Sequence, residues 1–323
     1  MTHASSMDTC LPEYADALSL KLMSISLIQR NKYCAIFKGL LENGQKCIIK
    51  DYGDSDPNLA FLEAESLNVY HEICRDSQEL KSCRLLAYNG ERNLLAISFM
   101  EGDSYTRFVY HSLLSSKQRA SALKHARSLG RLLRELYLRH HTMGGVVGGF
   151  MGEYMRHSTN NLKRYPLLGR LCLGKNAPEI EDLLGAMAAS GEPTSFCHGD
   201  CVLRNAHADN QGIGLIDWAN TSKDSHILND VYNLQTAVHN LFIPARYKRQ
   251  LISALSDGLG DLSFDISLHR FFYEYHRRRW LMLKLYARRP WPLFQVLRGL
   301  LTFAKPFNAS DPGALNGQIK DMK

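Results

Sequence analysis

No stretch of this 323-residue sequence approaches the roughly 20 uninterrupted apolar residues needed to cross a membrane as a helix. The N-terminal MTHASSMDTC lacks the basic-then-apolar order of a secretory leader, so a soluble, cytoplasmic protein is expected. The eight cysteines include no CxxC pair and no histidine partner at zinc-site spacing, which argues for reduced, buried thiols. Neither GxGxxG nor GxxxxGKS/T occurs, which removes the dinucleotide fold and the P-loop from consideration. Internal repeats, low-complexity blocks and recognised nucleic-acid modules are missing as well, and no specific nucleic-acid partner is expected.

What is present suffices for a sizeable core, with 45% hydrophobic residues beside 22% charged ones. Domain-size statistics allow one large or two modest domains. The net charge of +7 is unevenly spread. From Leu241 to Lys323 there are 14 Lys and Arg against 6 Asp and Glu, leaving 25 against 26 for residues 1–240. The basicity therefore reads as a property of the C-terminal quarter.

The first third reads as strands with one helix. Tyr33 to Leu41 and Gln45 to Tyr52 are strand-like runs joined by Asn43-Gly44, a dipeptide suited to a two-residue hairpin turn. Asp56 offers a helix cap and Pro57 a first helical position, after which Leu59, Leu62, Ser66, Tyr70 and Ile73 recur at helical spacing. Asn93 to Phe99 is a further apolar strand, ended by Glu101-Gly102. Beyond Ser116 the pattern turns to long helices, first Lys117 to His140 and Pro178 to Ser190, then several after Asp230. A small strand-rich lobe thus precedes a larger helical one, with the joint near Met100 to Asp103.

The chemistry concentrates in one segment. Residues 196–205 read FCHGDCVLRN and residues 214–218 read GLIDW, which places Asp200, Asn205 and Asp217 at fixed offsets. Hard divalent cations prefer such oxygen ligands, and a carboxylate beside them can take a proton from an attacking hydroxyl. This HGD-x4-N block followed by IDW resembles the catalytic loop and metal-binding segment of the aminoglycoside phosphotransferase and choline kinase superfamily, small-molecule relatives of the protein kinases. The resemblance implies an α+β, two-lobed protein-kinase-like fold. Its parts would be a flexible start over 1–15, a nucleotide-binding N-lobe over 16–101, a catalytic and acceptor-binding C-lobe over 102–307 and a flexible tail over 308–323.

The same resemblance implies ATP and Mg2+ as cofactors and the hydroxyl of a small molecule as acceptor. Asp200 is then the catalytic residue that orients and deprotonates the acceptor, Asn205 and Asp217 are the metal ligands, and His198 is a structural brace of the loop. Lys50, on the strand face of Ile48, resembles the lysine that contacts the α- and β-phosphates, with Lys46 its less favourably placed competitor. At about 100° per residue Glu63 falls inside the stripe of Leu62, Ser66, Leu67 and Tyr70 while Glu65 points away, so Glu63 is the expected ion-pair partner of Lys50. Ser98 and Met100 stand where the family's hinge meets the adenine edge through its main chain. Asp230, in NDVYNL, resembles the aspartate that follows the metal segment and is read as structural, anchoring the loop or capping a helix.

The sequence also departs from the family. Ile28 to Tyr33, where a phosphate-covering loop should lie, contains no glycine, which leaves open a catalytically lapsed nucleotide-binding or scaffolding protein. The glycine cluster at 144–149 follows a helix and is read as a helix end and loop on the acceptor side. Arg277, Arg278, Arg279 and Lys284 would repel a polycationic aminoglycoside, so another acceptor is expected, with a glycolipid or envelope sugar at a membrane surface as an alternative. Trp291 to Phe303 is an apolar run beside cations, read as a core-facing helix or, alternatively, as a peripheral membrane contact. A protein kinase is disfavoured by IDW in place of DFG and by the short interval between Trp218 and Asp230. Oligomeric state and acceptor identity are left open.

Overall fold

The computed structural model describes residues 10–56, 58–142, 149–164 and 178–286. The glycine cluster up to Gly148, the apolar run at 291–303 and both tails assigned to the ends lie wholly or largely outside the described residues. In chain order the elements are α1 (Cys10–Leu18), β1 (Leu22–Arg30), β2 (Ala35–Leu41), β3 (Lys46–Asp51), α2 (Leu59–Arg75), β4 (Leu85–Asn89), β5 (Leu94–Ser98) and the short β6 (Asp103–Ser104). There follow α3 (Tyr105–His111), α4 (Ser116–Arg139), β7 (His141–Thr142), α5 (Gly149–Lys163), α6 (Ile180–Ala189) and β8 (Thr194–Cys197). The chain continues through β9 (Ala206–Ala208), β10 (Ile213–Leu215), β11 (Ser222–Ser225), α7 (Leu228–His239), α8 (Ala245–Leu259) and α9 (Ile266–Tyr286). The architecture is the expected α+β one, a β-sheet N-lobe and a helical C-lobe of kinase-like type.

The chain divides into two compact units. One runs through Phe108 and takes in His198–Asp200 and Arg204–Thr221; the other holds Val109–Cys197, Cys201–Leu203 and the chain from Ser222 onward. The HGD loop and the IDW segment therefore group with the β-sheet unit, whereas the sequence places them in the helical lobe. The strands between the two segments pair with it directly: β9 and β10 form a small sheet with β6, and Ile213 bridges Leu80.

The larger sheet of the first unit is antiparallel in the order β1-β2-β3-β5-β4. β2 alternates buried and more exposed residues, as a strand with one face on a core must. Tyr14 and Leu18 of α1 cover that face with Phe37, Leu41, Cys47, Ile49 and Leu94. Burial of such side chains is the main favourable term, about 1.5–3 kcal/mol for each large one. Two local expectations are corrected. The β2–β3 connection is a three-residue loop, Glu42–Gly44, closed by Leu41 N to Gln45 O at 2.9 Å, and only Gly44 takes positive φ, at 81°. Asn43 accepts from Gln45 N through its side chain, which suits a type I turn followed by a left-handed glycine. Helix α2 starts at Leu59 with Asn58 at the cap position, so Asp56 is not the cap residue, although its Oδ1 accepts from Asn58 N at 3.0 Å; Pro57 lies outside the described residues. The buried Asn93 supplies the missing cap, its Oδ1 accepting from Ala60 N at 3.2 Å and its Nδ2 donating to Asp56 O at 3.0 Å.

In the second unit β8 is flanked by β7 and β11, and α4 packs on α8. Ala122, Ala126, Leu129, Leu133 and Leu136 form the buried stripe of α4. Arg277 and Arg278 of α9 do not line a surface as expected: both are buried, both pair with the buried Glu274, and Arg278 also donates to Thr159 Oγ1 and Pro178 O. The described Cys34, Cys47, Cys74, Cys83, Cys197 and Cys201 are buried free thiols, as the spacing suggested.

Candidate active site

Antiparallel register places Lys50 of β3 between Ile36 of β2 and Leu95 of β5, with its side chain buried. Helix α2 turns Glu63, fully buried, toward it along with Ala60, Leu67 and Tyr70. Lys50 Nζ donates to Glu63 Oε1 at 2.7 Å and Oε2 at 3.0 Å, and to Asp217 Oδ1 at 2.8 Å. Two further donors complete the Glu63 carboxylate, the Tyr52 hydroxyl and Trp218 N at 3.1 Å. Burial alone would drive the Lys50 ammonium to give up its proton, but Glu63 and Asp217 outweigh it and hold its pKa above the usual lysine range. Burial, then Glu63, pushes the Tyr52 phenol up. Lys46 is elsewhere engaged, with Glu101 Oε1 at 2.8 Å.

Asp217 is one of three residues other than glycine with positive φ among the described residues. It occupies the left-handed region, φ 68° and ψ 64°, at the head of a short 3₁₀ turn over Trp218–Asn220. For a residue other than glycine this costs on the order of 1–3 kcal/mol. Its carboxyl is half-exposed, 44%; burial pushes its pKa up, and the Lys50 ammonium, by its charge and its hydrogen bond, brings it net below the usual carboxylate range.

The HGD loop is fixed on both sides. Asp200 N donates to His198 Nδ1 at 3.3 Å, so the proton of this imidazole sits on Nε2 and reaches Ile216 O at 2.9 Å. The buried His198 thereby braces the loop against the strand that leads to Asp217, with its ring 4.5 Å from that of Trp218. Gly199 has φ 78°, and a Cβ there would meet Asn220 O at 2.0 Å. Asn205 donates its amide to Asp200 O at 2.9 Å and Asp200 Oδ2 at 3.0 Å, and Arg204 Nη2 donates to the same Oδ2 at 3.0 Å.

The structure thus brings Lys50 onto Glu63 and Asp217, and Asn205 onto Asp200. No cluster of three or more His, Cys, Asp or Glu able to hold a metal occurs among the described residues. The donors available are of the hard type that magnesium takes: with its nitrogen committed to Asp200, Asn205 has Oδ1 left to offer, and Asp217 commits only Oδ1 to Lys50. These two side chains fit the ion.

Ser98 ends β5, where its N donates to Arg84 O at 2.9 Å, so only its carbonyl can serve an adenine edge. Met100 is buried, and its Cε lies 2.7 Å from where a Cβ on Gly214 would stand. Asp230 lies in the second unit, fully buried in the first turn of α7; the cap position is Ile227, so Asp230 is not the cap. The glycine-free tip between β1 and β2 is closed by Asn31, whose Oδ1 accepts from Tyr33 N at 2.8 Å and Cys34 N at 2.9 Å. Sequence reasoning missed Tyr52, Arg204, Asn93 and the Trp218 amide. Only Arg204, inside the x4 of the motif, carried a signal that could have been read.

Comparison with known proteins places this geometry in context. The sequence profile described as the phosphotransferase enzyme family matches residues 58–281. No curated relative matches the sequence. Among solved structures, an amicoumacin kinase complexed with AMP-PNP, Ca2+ and amicoumacin is similar at 11% identity and TM-score 0.58, covering 93% of this chain and 94% of that one. The aminoglycoside phosphotransferase APH(2'')-IIa with streptomycin and ATP gives 13% and 0.55, covering 93% and 97%. The macrolide 2'-phosphotransferase of Brachybacterium faecium gives 13% and 0.52, covering 94% and 99%.

Proposed function

This chain belongs to the phosphotransferase enzyme family, and from that premise we propose that it is a small-molecule kinase, moving the terminal phosphoryl group of ATP to an acceptor hydroxyl with magnesium. The observations that carry the reading are the bracketing of Lys50 by Glu63 and Asp217 and the hold of Asn205 and Arg204 on Asp200 in the same unit. Asn205 Oδ1 and the Asp217 carboxylate would hold magnesium, which supplies charge neutralisation to the phosphates when bound.

The residues of the chain do the rest. Glu63 keeps Lys50 extended and protonated, so that a full positive charge is available to phosphate oxygens. The carbonyl of Ser98 and the main chain of Met100 meet the base. Asp200 accepts the proton of the acceptor hydroxyl; Arg204 and Asn205 fix its Oδ2, which aims the other oxygen at the acceptor. Phosphoryl transfer leaves little covalent work to the protein, so positioning and charge account for most of the rate. With Arg277 and Arg278 engaged by Glu274, their charge no longer argues for an acceptor of either sign.

ADP release measured with a panel of neutral, anionic and cationic hydroxylated acceptors tests the reading. Acceptor-dependent release that Asp200→Asn abolishes supports it. Nucleotide binding without turnover on any acceptor favours the second reading, a lapsed kinase, for which the closed, glycine-free tip at Asn31 speaks.

A further inference from the structure

The basic character of the chain is not confined to its C-terminal quarter. Helix α4 carries seven Lys and Arg against one Glu, and α8 three against one Asp. The two helices run side by side with their N-terminal ends together, because glycines let backbone meet backbone at their crossing. A Cβ on Gly130 would stand 2.1 Å from Leu255 O, and one on Gly258 2.0 Å from Arg127 O. Between them lies an open groove of 530 Å³ lined by Leu123, Arg127, Arg246, Arg249, Ser253 and Asp257, among others. Asp257 answers Arg127 at 3.2 Å, while Lys117, Arg246 and Arg249 have no carboxylate partner among the described residues. Neither helix has an acidic residue in its first turn, where the helix dipole would reward one. The cations there cost the free protein stability and call for an anionic partner.

A second, independent feature sits at the same end. Leu114, 88% exposed, immediately precedes Ser115, the N-cap of α4; Phe242, 65% exposed, lies two residues before Pro244, the N-cap of α8. These are the two most exposed large apolar side chains among the described residues. They are held together: Phe242 N donates to Tyr110 Oη at 3.0 Å, Ser112 Oγ and Tyr247 Oη are 2.6 Å apart, and Arg119 Nη2 reaches Leu113 O at 3.3 Å. Protruding apolar tips next in sequence to helix starts that carry unpaired cations match an interface that is itself apolar inside and anionic outside. A nucleic-acid backbone would use the cations and leave the tips in water.

We propose that this end of the helical unit docks on a bilayer containing anionic phospholipid, with Leu114 and Phe242 entering the headgroup layer and Lys117, Arg246 and Arg249 meeting lipid phosphates. Guanidinium forks match phosphate oxygens in pairs, which suits Arg246 and Arg249 to the task. No residue of this surface belongs to the phosphotransfer site, so the two readings fail separately. No helix among the described residues is long and apolar enough to cross a membrane, and none is needed for such docking.

The test is co-sedimentation of the full-length protein with phosphatidylcholine vesicles, with and without phosphatidylglycerol, at low and high salt. Binding should require the anionic lipid and weaken with salt. Each cation lost near an anionic surface should lower partitioning about five-fold, so Arg246→Ala with Arg249→Ala should weaken it about 25-fold. Leu114→Ser with Phe242→Ser, at exposed positions where folding is not at stake, should weaken it by roughly tenfold or more. Equal binding to neutral vesicles, or unchanged binding by both double variants, overturns the proposal. So does capture by a short DNA duplex that depends on Arg246 and Arg249 but not on the apolar pair.

Discussion

Replacing Glu63 by glutamine probes the centre of the first unit with almost no change in volume. The carboxylate takes Lys50 on both oxygens, the Tyr52 hydroxyl on Oε2 and Trp218 N on Oε1. Whichever way the new amide lies, its nitrogen meets donors: Lys50 and Trp218 N on one side, Lys50 and Tyr52 on the other. At least one buried donor is then unpaired, and a buried ammonium keeps only the half-exposed Asp217 as counter-charge. Breaking a buried ion pair costs about 3–5 kcal/mol, and the surviving contact with Asp217 puts the expected loss near ~3 kcal/mol. For a protein of this size that is a fall in Tm of roughly 6–12 °C. Thermal and urea unfolding of Glu63→Gln give the value, with Glu72→Gln, exposed on the same helix, as a control expected within about 0.5 kcal/mol of the parent. A double-mutant cycle with Lys50→Met should show coupling of at least about 1 kcal/mol, because without the cation the charge of Glu63 has less to neutralise. A Glu63→Gln protein within about 1 kcal/mol of the parent, or a cycle with no coupling, would refute the argument.

Four other outcomes are expected. Asp200→Asn should keep nucleotide affinity while turnover falls by about 10²–10⁴, read as ADP release at saturating ATP; unaltered turnover removes Asp200 from the role of base. Asn93→Ala deletes the cap of α2 and strands the Ala60 amide, so urea unfolding should show a loss of about 1–3 kcal/mol, and no loss would mean that the cap is dispensable. Gly199→Ala places a Cβ 2.0 Å from Asn220 O in a left-handed residue, so soluble yield and turnover should both collapse, in contrast to Gly185→Ala, where nothing lies within 4 Å. Burial pushes His226 and His276 down to about 3, and His239 and His269 to about 4. Folded values below the unfolded value of about 6.5 mean stability that is complete above that pH and lost as the pH falls toward 4, by roughly 1.4 kcal/mol per unit for each group; a Tm that is flat between pH 7 and pH 5 contradicts this.

What the sequence disclosed and what it hid divide along physical lines. Lys50 and Glu63 could be paired on paper because strand alternation and the 100° step of a helix fix directions over short spans. The cap of α2 could not, because Asn93 reaches Ala60 across 33 residues and no local pattern records such a contact. The arginines of α9 were legible but misread. Glu274 stands three and four residues before Arg277 and Arg278, the spacing of helix-surface pairs, and the run of three cations drew attention away from it. Summing charge over residues 1–240 likewise cancelled the basic α4 against acids elsewhere, so only the packing of α4 on α8 exposed where the charge lies.

The strain at Asp217 ties these parts together. A left-handed aspartate persists only where its neighbours over-determine it, and here Glu63 does so twice, holding Trp218 N directly and Asp217 through Lys50. The Trp218 ring adds a third restraint, its Nε1 donating to Leu215 O at 3.3 Å between Tyr70 at 4.6 Å and His198 at 4.5 Å. The glutamate is thus more than a counter-ion for a phosphate-binding lysine, since one carboxylate sets both the reach of Lys50 and the backbone that aims Asp217. Loss of Glu63 should therefore weaken magnesium-dependent nucleotide affinity by more than loss of the lysine contact alone, so that Glu63→Gln is impaired beyond Lys50→Met in titrations with magnesium and equal to it without. If the two variants bind identically in both conditions, Glu63 acts through Lys50 only and the backbone of Asp217 holds its shape unaided.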